Sequence, residues 1–300
     1  MSERVIHVDV GVFGKRWCTE LLKTNVADGT IEVVVVVDSD PKHLPTAERR
    51  SRSRHNAVYS DPATAFADTE ADFCTVVVTP AQHENVIDIA VARGLDILCE
   101  KPIADTMEAS IRIARKVAAA GRNMAVTMSH RFDQDKTTLR RIVRSGILGK
   151  INAIGFLFRG DMQQHMAWSS LFRHQMRDPL LIEGVIHHLD IIADLAGSRC
   201  ETLFATTWKP DWAEDAGDTD GIVTMSFENG TRAVYVSNAV GLNTFYKEYI
   251  GVDGELGTAV LNHRDLEIFM RQDVWRQQHR EGQGQKIPLL AQPNGSTTGS

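Results

Sequence analysis

Across the first 130 residues, short β-branched runs alternate with helical stretches, and few folds accommodate that alternation. The runs are Val5–Val10, Ile31–Val37, Phe73–Val78, Asp96–Cys99 and Met124–Met128. Val33–Val37 is valine throughout, as expected of a strand covered on both faces. Between them, His83–Arg93 places Val86, Ile87, Ala90 and Val91 at helical spacing, and Thr106–Ala120 does the same with Ile111, Ile113, Ala114 and Val117. Asp105 is the expected N-cap of the second helix, with Glu108 completing a capping box. Gly94 and Gly121 are expected helix stops. Strand–helix–strand units at this spacing predict a parallel, doubly wound α/β sheet. Ligands of such sheets sit at the carboxyl ends of the strands, so chemistry should be sought there.

The pattern changes near residue 150. Ile151–Phe158, Glu201–Thr207, Gly221–Phe227, Thr231–Ser237, Tyr246–Val252 and Thr258–Leu261 read as strands joined by turns. Glu228-Asn229-Gly230 is a strong hairpin signal. One helix, about Leu180–Leu195, interrupts the series. This half predicts an α+β domain with a mostly antiparallel open sheet. The expected organisation is a dinucleotide-binding domain over 1–130, a sheet domain for substrate and self-association over 131–276, and a loop or disordered tail over 277–300.

Charge excludes some functions. The net charge of −6 gives no reason for a nucleic-acid partner. No apolar run approaches a membrane span, and the N-terminus lacks a signal-peptide layout. A cytoplasmic location is therefore expected. Cys18, Cys74, Cys99 and Cys200 are scattered, without zinc-type spacing, and are expected to be reduced thiols.

The first strand runs into Asp9-Val10-Gly11-Val12-Phe13-Gly14, with an amphipathic stretch behind it. A glycine turn between strand and helix lets backbone N–H groups approach a pyrophosphate. Gly11, Val12, Phe13 and Gly14 are the expected contacts. Asp9 stands where the G-x-G-x-x-G pattern has its first glycine, which strains or widens the turn. An ordinary strand-to-helix turn is the alternative reading. Asp38 ends the second strand, where an acid accepts hydrogen bonds from ribose hydroxyls and repels a 2′-phosphate. That favours NAD and leaves NADP open, because Arg49–Arg54 is arginine-rich.

Glu100-Lys101-Pro102 follows the strand ending at Cys99. Lysine at the carboxyl edge of a parallel strand points to the cofactor crevice, and the proline behind it fixes the backbone. With Thr79, Pro80 and His83, Ser129-His130-Arg131-Phe132, Gly146–Lys150 and His187-His188-Leu189-Asp190, the chain resembles the Gfo/Idh/MocA oxidoreductases from about residue 4 to about residue 262. The resemblance implies an N-terminal Rossmann domain that binds NAD or NADP. It places Thr79, Pro80, His83, Glu100 and Lys101 at the cofactor, and Lys101 and His187 at the substrate, where Arg131 and Trp168 are also expected. Lys101, His187 and Glu183 are the implied catalytic set, with Glu183 where relatives carry aspartate. His187 suits the role of base, and Lys101 that of a cation stabilising an alkoxide. Asp190 is expected to be a structural partner and His188 to pack against the sheet.

Glu183, His187, His188 and Asp190 could alternatively ligate a metal; no metal is expected. Met162–Trp168, with Arg173, His174 and Arg177 behind it, is the expected substrate segment. The implied activity is hydride transfer to or from a hydroxyl carbon of a sugar, cyclitol or related polyol. The partners expected are that small molecule and a second copy of the chain, bound through the C-terminal sheet. Relatives continue past the sheet, whereas Gly282–Ser300 has little apolar content, so the last elements are expected to be absent or replaced. A non-catalytic nucleotide-binding regulator on the same fold is the second hypothesis; Lys101 and His187 together favour the enzyme.

Overall fold

In the computed structural model the chain divides into two compact units, Met1–Thr127 and Met128–Ser300. The structure describes residues 2–43, 57–161, 171–241, 247–271 and 285–290. Trp168 and Arg49–Arg54 lie outside them. Among the described residues, no helix is long and apolar enough to cross a membrane.

The N-terminal unit is a six-stranded sheet in the order β3-β2-β1-β4-β5-β6. Its strands are β1 (Glu3–Val8), β2 (Ile31–Val37), β3 (Ala57–Tyr59), β4 (Phe73–Val76), β5 (Asp96–Cys99) and β6 (Met124–Val126). Every pairing is parallel. The order reverses at β1, the switch point of a dinucleotide-binding sheet. Strand β3 is too short and flanked too variably to stand out as a hydrophobic run.

The helices here are α1 (Val12–Arg16), which runs through a π turn over Trp17–Leu21 into α2 (Lys23–Ala27), then α3 (Pro62–Asp68), α4 (His83–Ala92) and α5 (Met107–Ala119). The cap of α5 is Thr106, whose side chain accepts from Ala109 N at 3.2 Å; Asp105 lies one residue outside. Gly94 and Gly121 take φ of +71° and +64°, the left-handed stop expected of them. Ile6, Val8, Val35, Val37, Val76, Ile97 and Cys99 form the core with Ile87 and Ile113.

The C-terminal unit opens with a 3₁₀ turn, Ser129–Phe132, and α6 (Gln134–Arg144). Its eight-stranded sheet has the order β14-β13-β12-β11-β7-β10-β9-β8. These are β7 (Ile151–Arg159), β8 (Cys200–Trp208), β9 (Asp220–Phe227), β10 (Arg232–Asn238), β11 (Lys247–Gly254), β12 (Gly257–Asn262), β13 (Asp265–Met270) and β14 (Gln285–Lys286). All pairings are antiparallel except β7 with β10. Part of the expected tail therefore adds a strand, and Ile287 and Leu289 pack on the core.

The expected helix over Leu180–Leu195 is two elements. A π turn, Leu180–Gly184, ends at Val185 (φ −114°, ψ 13°), and α8 (Ile186–Ala196) begins beyond it. Helix α7 is Leu171–Gln175.

The buried face of this sheet carries polar groups as well as Ile154, Phe156, Tyr235 and Ile250. His188 Nδ1 lies 2.8 Å from the Tyr235 hydroxyl, with the rings of Phe156 and Phe158 against the imidazole. Burial, helped by charge at His130 and Lys136, pushes His188 down to about 3 and keeps it neutral. Lys136, buried itself, donates to Asp135 Oδ2 at 2.8 Å and Glu248 Oε2 at 2.7 Å. Removing the ammonium would strand two buried carboxylates. Lys136→Met should lower unfolding stability by about 3–5 kcal/mol, read from the urea midpoint of the full chain; an unchanged midpoint would show that the trio contributes nothing to folding.

Candidate functional site

Each unit carries its own set of functional side chains, and each set is described within its unit. In the N-terminal unit, β1 ends at Val8 and the chain turns through Asp9 into the glycine loop. Asp9 has φ of +80°, a left-handed conformation that glycine adopts freely and aspartate tolerates. Its Oδ1 accepts the Gly11 N–H at 2.7 Å, bridging the loop from within. A Cβ on Gly14 would stand 2.0 Å from the Asp9 carbonyl oxygen, so only glycine permits this close approach of backbone to backbone. Gly11 caps α1, Val12 opens it, and Phe13 is exposed.

Asp38 braces the same loop. Its Oδ2 accepts Val10 N–H at 2.9 Å and its Oδ1 accepts Asp40 N–H at 2.8 Å. His43 Nδ1 lies 3.0 Å from Oδ2. Asp38 is buried, yet a carboxylate offers about four acceptor positions, so capacity for a ribose hydroxyl remains. Polar atoms of Asp9, Asp38 and His43 gather within 4.8 Å. Burial, with Asp38 beside it, pushes the Asp9 carboxyl up to about 6. Beneath the loop, fully buried His7 lies 2.6 Å from Thr75 Oγ1 and is pushed down to about 4 by burial, hence neutral. The close approach at Gly14 and the acid ending β2 fit a bound dinucleotide; Asp9 adds a carboxyl to the same loop.

At the end of β5, Glu100 links two elements. Its Oε1 accepts the Trp17 indole N–H at 2.9 Å and its Oε2 the Lys101 backbone N–H at 3.0 Å. The Lys101–Pro102 bond is cis. Glu100 thus holds the turn that presents Lys101, and its carboxylate is engaged by protein. Thr79 is exposed at the end of the β4 segment and Pro80 is buried behind it. His83, expected at the cofactor, turns both ring nitrogens to backbone carbonyls. It is fully buried, with Nε2 2.8 Å from Val78 O and Nδ1 3.1 Å from Ile103 O. It clamps the segment after β4 to the turn after Pro102.

In the C-terminal unit, His187 stands on the first turn of α8 and is largely buried. The ring of His130 stacks on it, 3.9 Å between centroids and 15° between planes. Arg131 also departs from expectation. Its Nε donates to Asp190 Oδ2 at 2.7 Å, and a second guanidinium nitrogen pairs with Asp190 Oδ1. Asp194 lies beyond, shared with Arg140 and Arg144. A bidentate carboxylate pair holds a guanidinium in one orientation. It ties the Ser129–Phe132 turn to α8, and that tie sets His130 over His187.

Glu183, also buried, pairs with Arg173, Nη2 to Oε1 at 2.8 Å. The expected shared helical face with His187 is broken at Val185. Of the four possible metal ligands, three have other partners: Glu183 pairs with Arg173, His188 with Tyr235 and Asp190 with Arg131. His174 Nδ1 lies 2.6 Å from Asp215 Oδ1 inside the unit. His7, His43 and Trp17 carry no spacing signal in the sequence, and His130 stands out there only within Ser129-His130-Arg131-Phe132.

With this geometry in view, residues 7–128 match the oxidoreductase family with an NAD-binding Rossmann fold, and residues 137–260 match the GFO/IDH/MocA C-terminal domain. The chain belongs to the Gfo/Idh/MocA family. Protein y4oX of Sinorhizobium fredii, an uncharacterised relative, is 51% identical over 97% of this chain and 81% of its own length. An inositol 2-dehydrogenase of Corynebacterium glutamicum is 30% identical over 62% of this chain, a match that spans 55% of that enzyme. A crystal structure of an oxidoreductase from Agrobacterium radiobacter, in complex with NAD+, L-tartaric acid and magnesium, superposes with a TM-score of 0.81. That likeness covers 99% of this chain and 83% of the other at 18% identity, and it bears on the fold alone.

Asp9 yields a test of the loop. Its folded-state value of about 6 lies above the ordinary 3.8, so the ionised form is penalised by folding. The stability it contributes is full below about pH 4 and is lost as pH rises through about 6. Asn keeps the acceptor for Gly11 N–H, tolerates positive φ and cannot ionise. Asp9→Asn should therefore be more stable than the parent above pH 6, on the order of 1–2 kcal/mol, the gap closing by pH 4. Thermal unfolding from pH 4 to 8 reads this; equal stability at pH 8 would exclude the strain.

Proposed function

We propose that this protein is an NAD-dependent dehydrogenase acting on a hydroxyl carbon of a sugar, cyclitol or related polyol, with NADP as the alternative dinucleotide. The observation that carries this reading is Lys101, held by Glu100 at the carboxyl edge of β5 in a sheet whose strand order is that of dinucleotide-binding domains. The nicotinamide, when bound, takes up or returns the hydride. Gly11, Val12, Phe13 and Gly14 would hold its phosphates, Asp38 the ribose, and Thr79 and Pro80 the nicotinamide side.

The side chains supply the proton chemistry. Lys101 as an ammonium lowers the cost of negative charge on the substrate oxygen. His187 takes the hydroxyl proton in the oxidising direction and returns it in the other. Glu183, through its pair with Arg173, places the turn that precedes α8. Trp168 completes the proposed substrate contacts. The names of relatives such as the inositol 2-dehydrogenase support a polyhydroxylated substrate.

A second copy of the chain is the proposed macromolecular partner. Strand register puts Phe204, Trp208, Ile222 and Val234 on the sheet face opposite the buried Val223 and Tyr235, and all four are exposed. Four free cysteines, two of them buried, agree with a reducing, cytoplasmic setting.

The regulator reading draws on Asp9, whose carboxylate occupies the Gly11 N–H. Two measurements separate the readings: NADH fluorescence titration, then turnover of a polyol and sugar panel with NAD and with NADP. The enzyme reading expects binding and turnover, with Lys101→Ala and His187→Ala each lowering kcat by about 10² or more. Binding without turnover on any member of the panel, unaltered in Lys101→Ala, would establish the regulator instead.

A further inference from the structure

The stacked imidazoles of His130 and His187 form a feature that neither the strand order nor the dinucleotide loop explains. Their centroids are 3.9 Å apart and their planes nearly parallel. His187 is the more buried of the two, and His130 lies half-exposed over it. The stack is fastened from both sides. His130 sits in the Ser129–Phe132 turn, which Arg131 ties to Asp190 on α8 one helical turn beyond His187. Thr137 Oγ1 donates to the Arg131 carbonyl at 3.4 Å, holding the turn to α6. The rings cannot readily drift apart.

Two imidazoles at this separation cannot both carry a proton without strong like-charge repulsion. Several charges on the neighbouring elements are paired with one another. On the turn and α8, Arg131 is matched by Asp190, with Asp194 beyond. On α6 and β11, Lys136 is matched by Asp135 and Glu248; Asp133 stands at the start of α6. On the π turn, Glu183 is matched by Arg173. His188, next to His187, is kept neutral in the core. At 3.9 Å between centroids the two imidazoles are close like-charge neighbours whenever both are protonated.

We propose that His130 is a positioning residue that keeps His187 unprotonated near neutral pH, poised to accept a proton. His130 acts through His187 and not on the substrate. The inference rests on the dehydrogenase reading for its purpose, but the coupling is a property of the folded chain and is measurable without substrate. The sign of the effect is its signature. Replacing His130 by a neutral residue raises the pH at which His187 titrates; replacing it by a permanent cation lowers it.

The experiment is an NMR titration of histidine-labelled full-length protein, with the His187 ring signal assigned through His187→Gln. In the parent the two rings should titrate in separate steps, as coupled sites do. His130→Gln should move the His187 midpoint up by about one pH unit, and His130→Arg should move it down. A role confined to packing would shift both variants in one direction or neither; identical His187 midpoints in all three proteins would overturn the proposal. If the polyol panel gave no turnover in the parent while the midpoints moved as described, the dehydrogenase reading would fail and the coupling would stand. With turnover present, the acidic limb of the kcat/KM profile should follow the same two opposite shifts.

Discussion

The parallel hydrogen bonding of β1 to β2 on one side and to β4 on the other is the constraint from which the N-terminal unit follows. Parallel strands bring all their carboxyl ends to one edge, where backbone groups run out of ladder partners. Side chains then take over. Asp38 at the end of β2 receives the Val10 and Asp40 N–H groups, and Glu100 after β5 receives the Lys101 N–H and the Trp17 indole. The carboxylates that finish the strands also shape the glycine loop and the lysine turn. Structure and proposed chemistry draw on the same few oxygens.

The C-terminal unit solves a different problem. Its sheet is antiparallel apart from one pair, so one face can remain open while α6 and α8 cover the other. That covered face holds the Lys136 ammonium with its two carboxylate partners and the neutral imidazole of His188. Charged groups are kept there only because each is matched: Lys136 with Asp135 and Glu248, Arg131 with Asp190, Arg173 with Glu183. A helix laid on such a network has little freedom to rotate, and His187 takes its direction from that restraint.

Several residues carry burdens other than their positions in a motif suggest. His83 and Glu100 stand in segments tied to the cofactor by resemblance, yet both spend their polar atoms on neighbouring backbone or indole groups. Arg131 was expected at the substrate and is engaged with Asp190. A motif preserves residues that build a site as faithfully as those that touch a ligand, so spacing alone does not separate the two. Only hydrogen-bond partners do.

The sequence by itself determined the alternation of strands and helices, the change of sheet type near residue 150, the glycine loop after β1, and the presence of Lys101 and His187. These are local facts, written in periodicity of two and 3.6 and in turn chemistry that acts over a few residues. The break at Val185, the capture of Arg131, the addition of β14 and the stack of His130 on His187 were decided by the tertiary structure. Each depends on groups distant along the chain, as Arg131 and Asp190 are by 59 positions, or on packing that overrides a helical period. No window along the chain contains both members of such a pair, and only folding brings them within reach of each other.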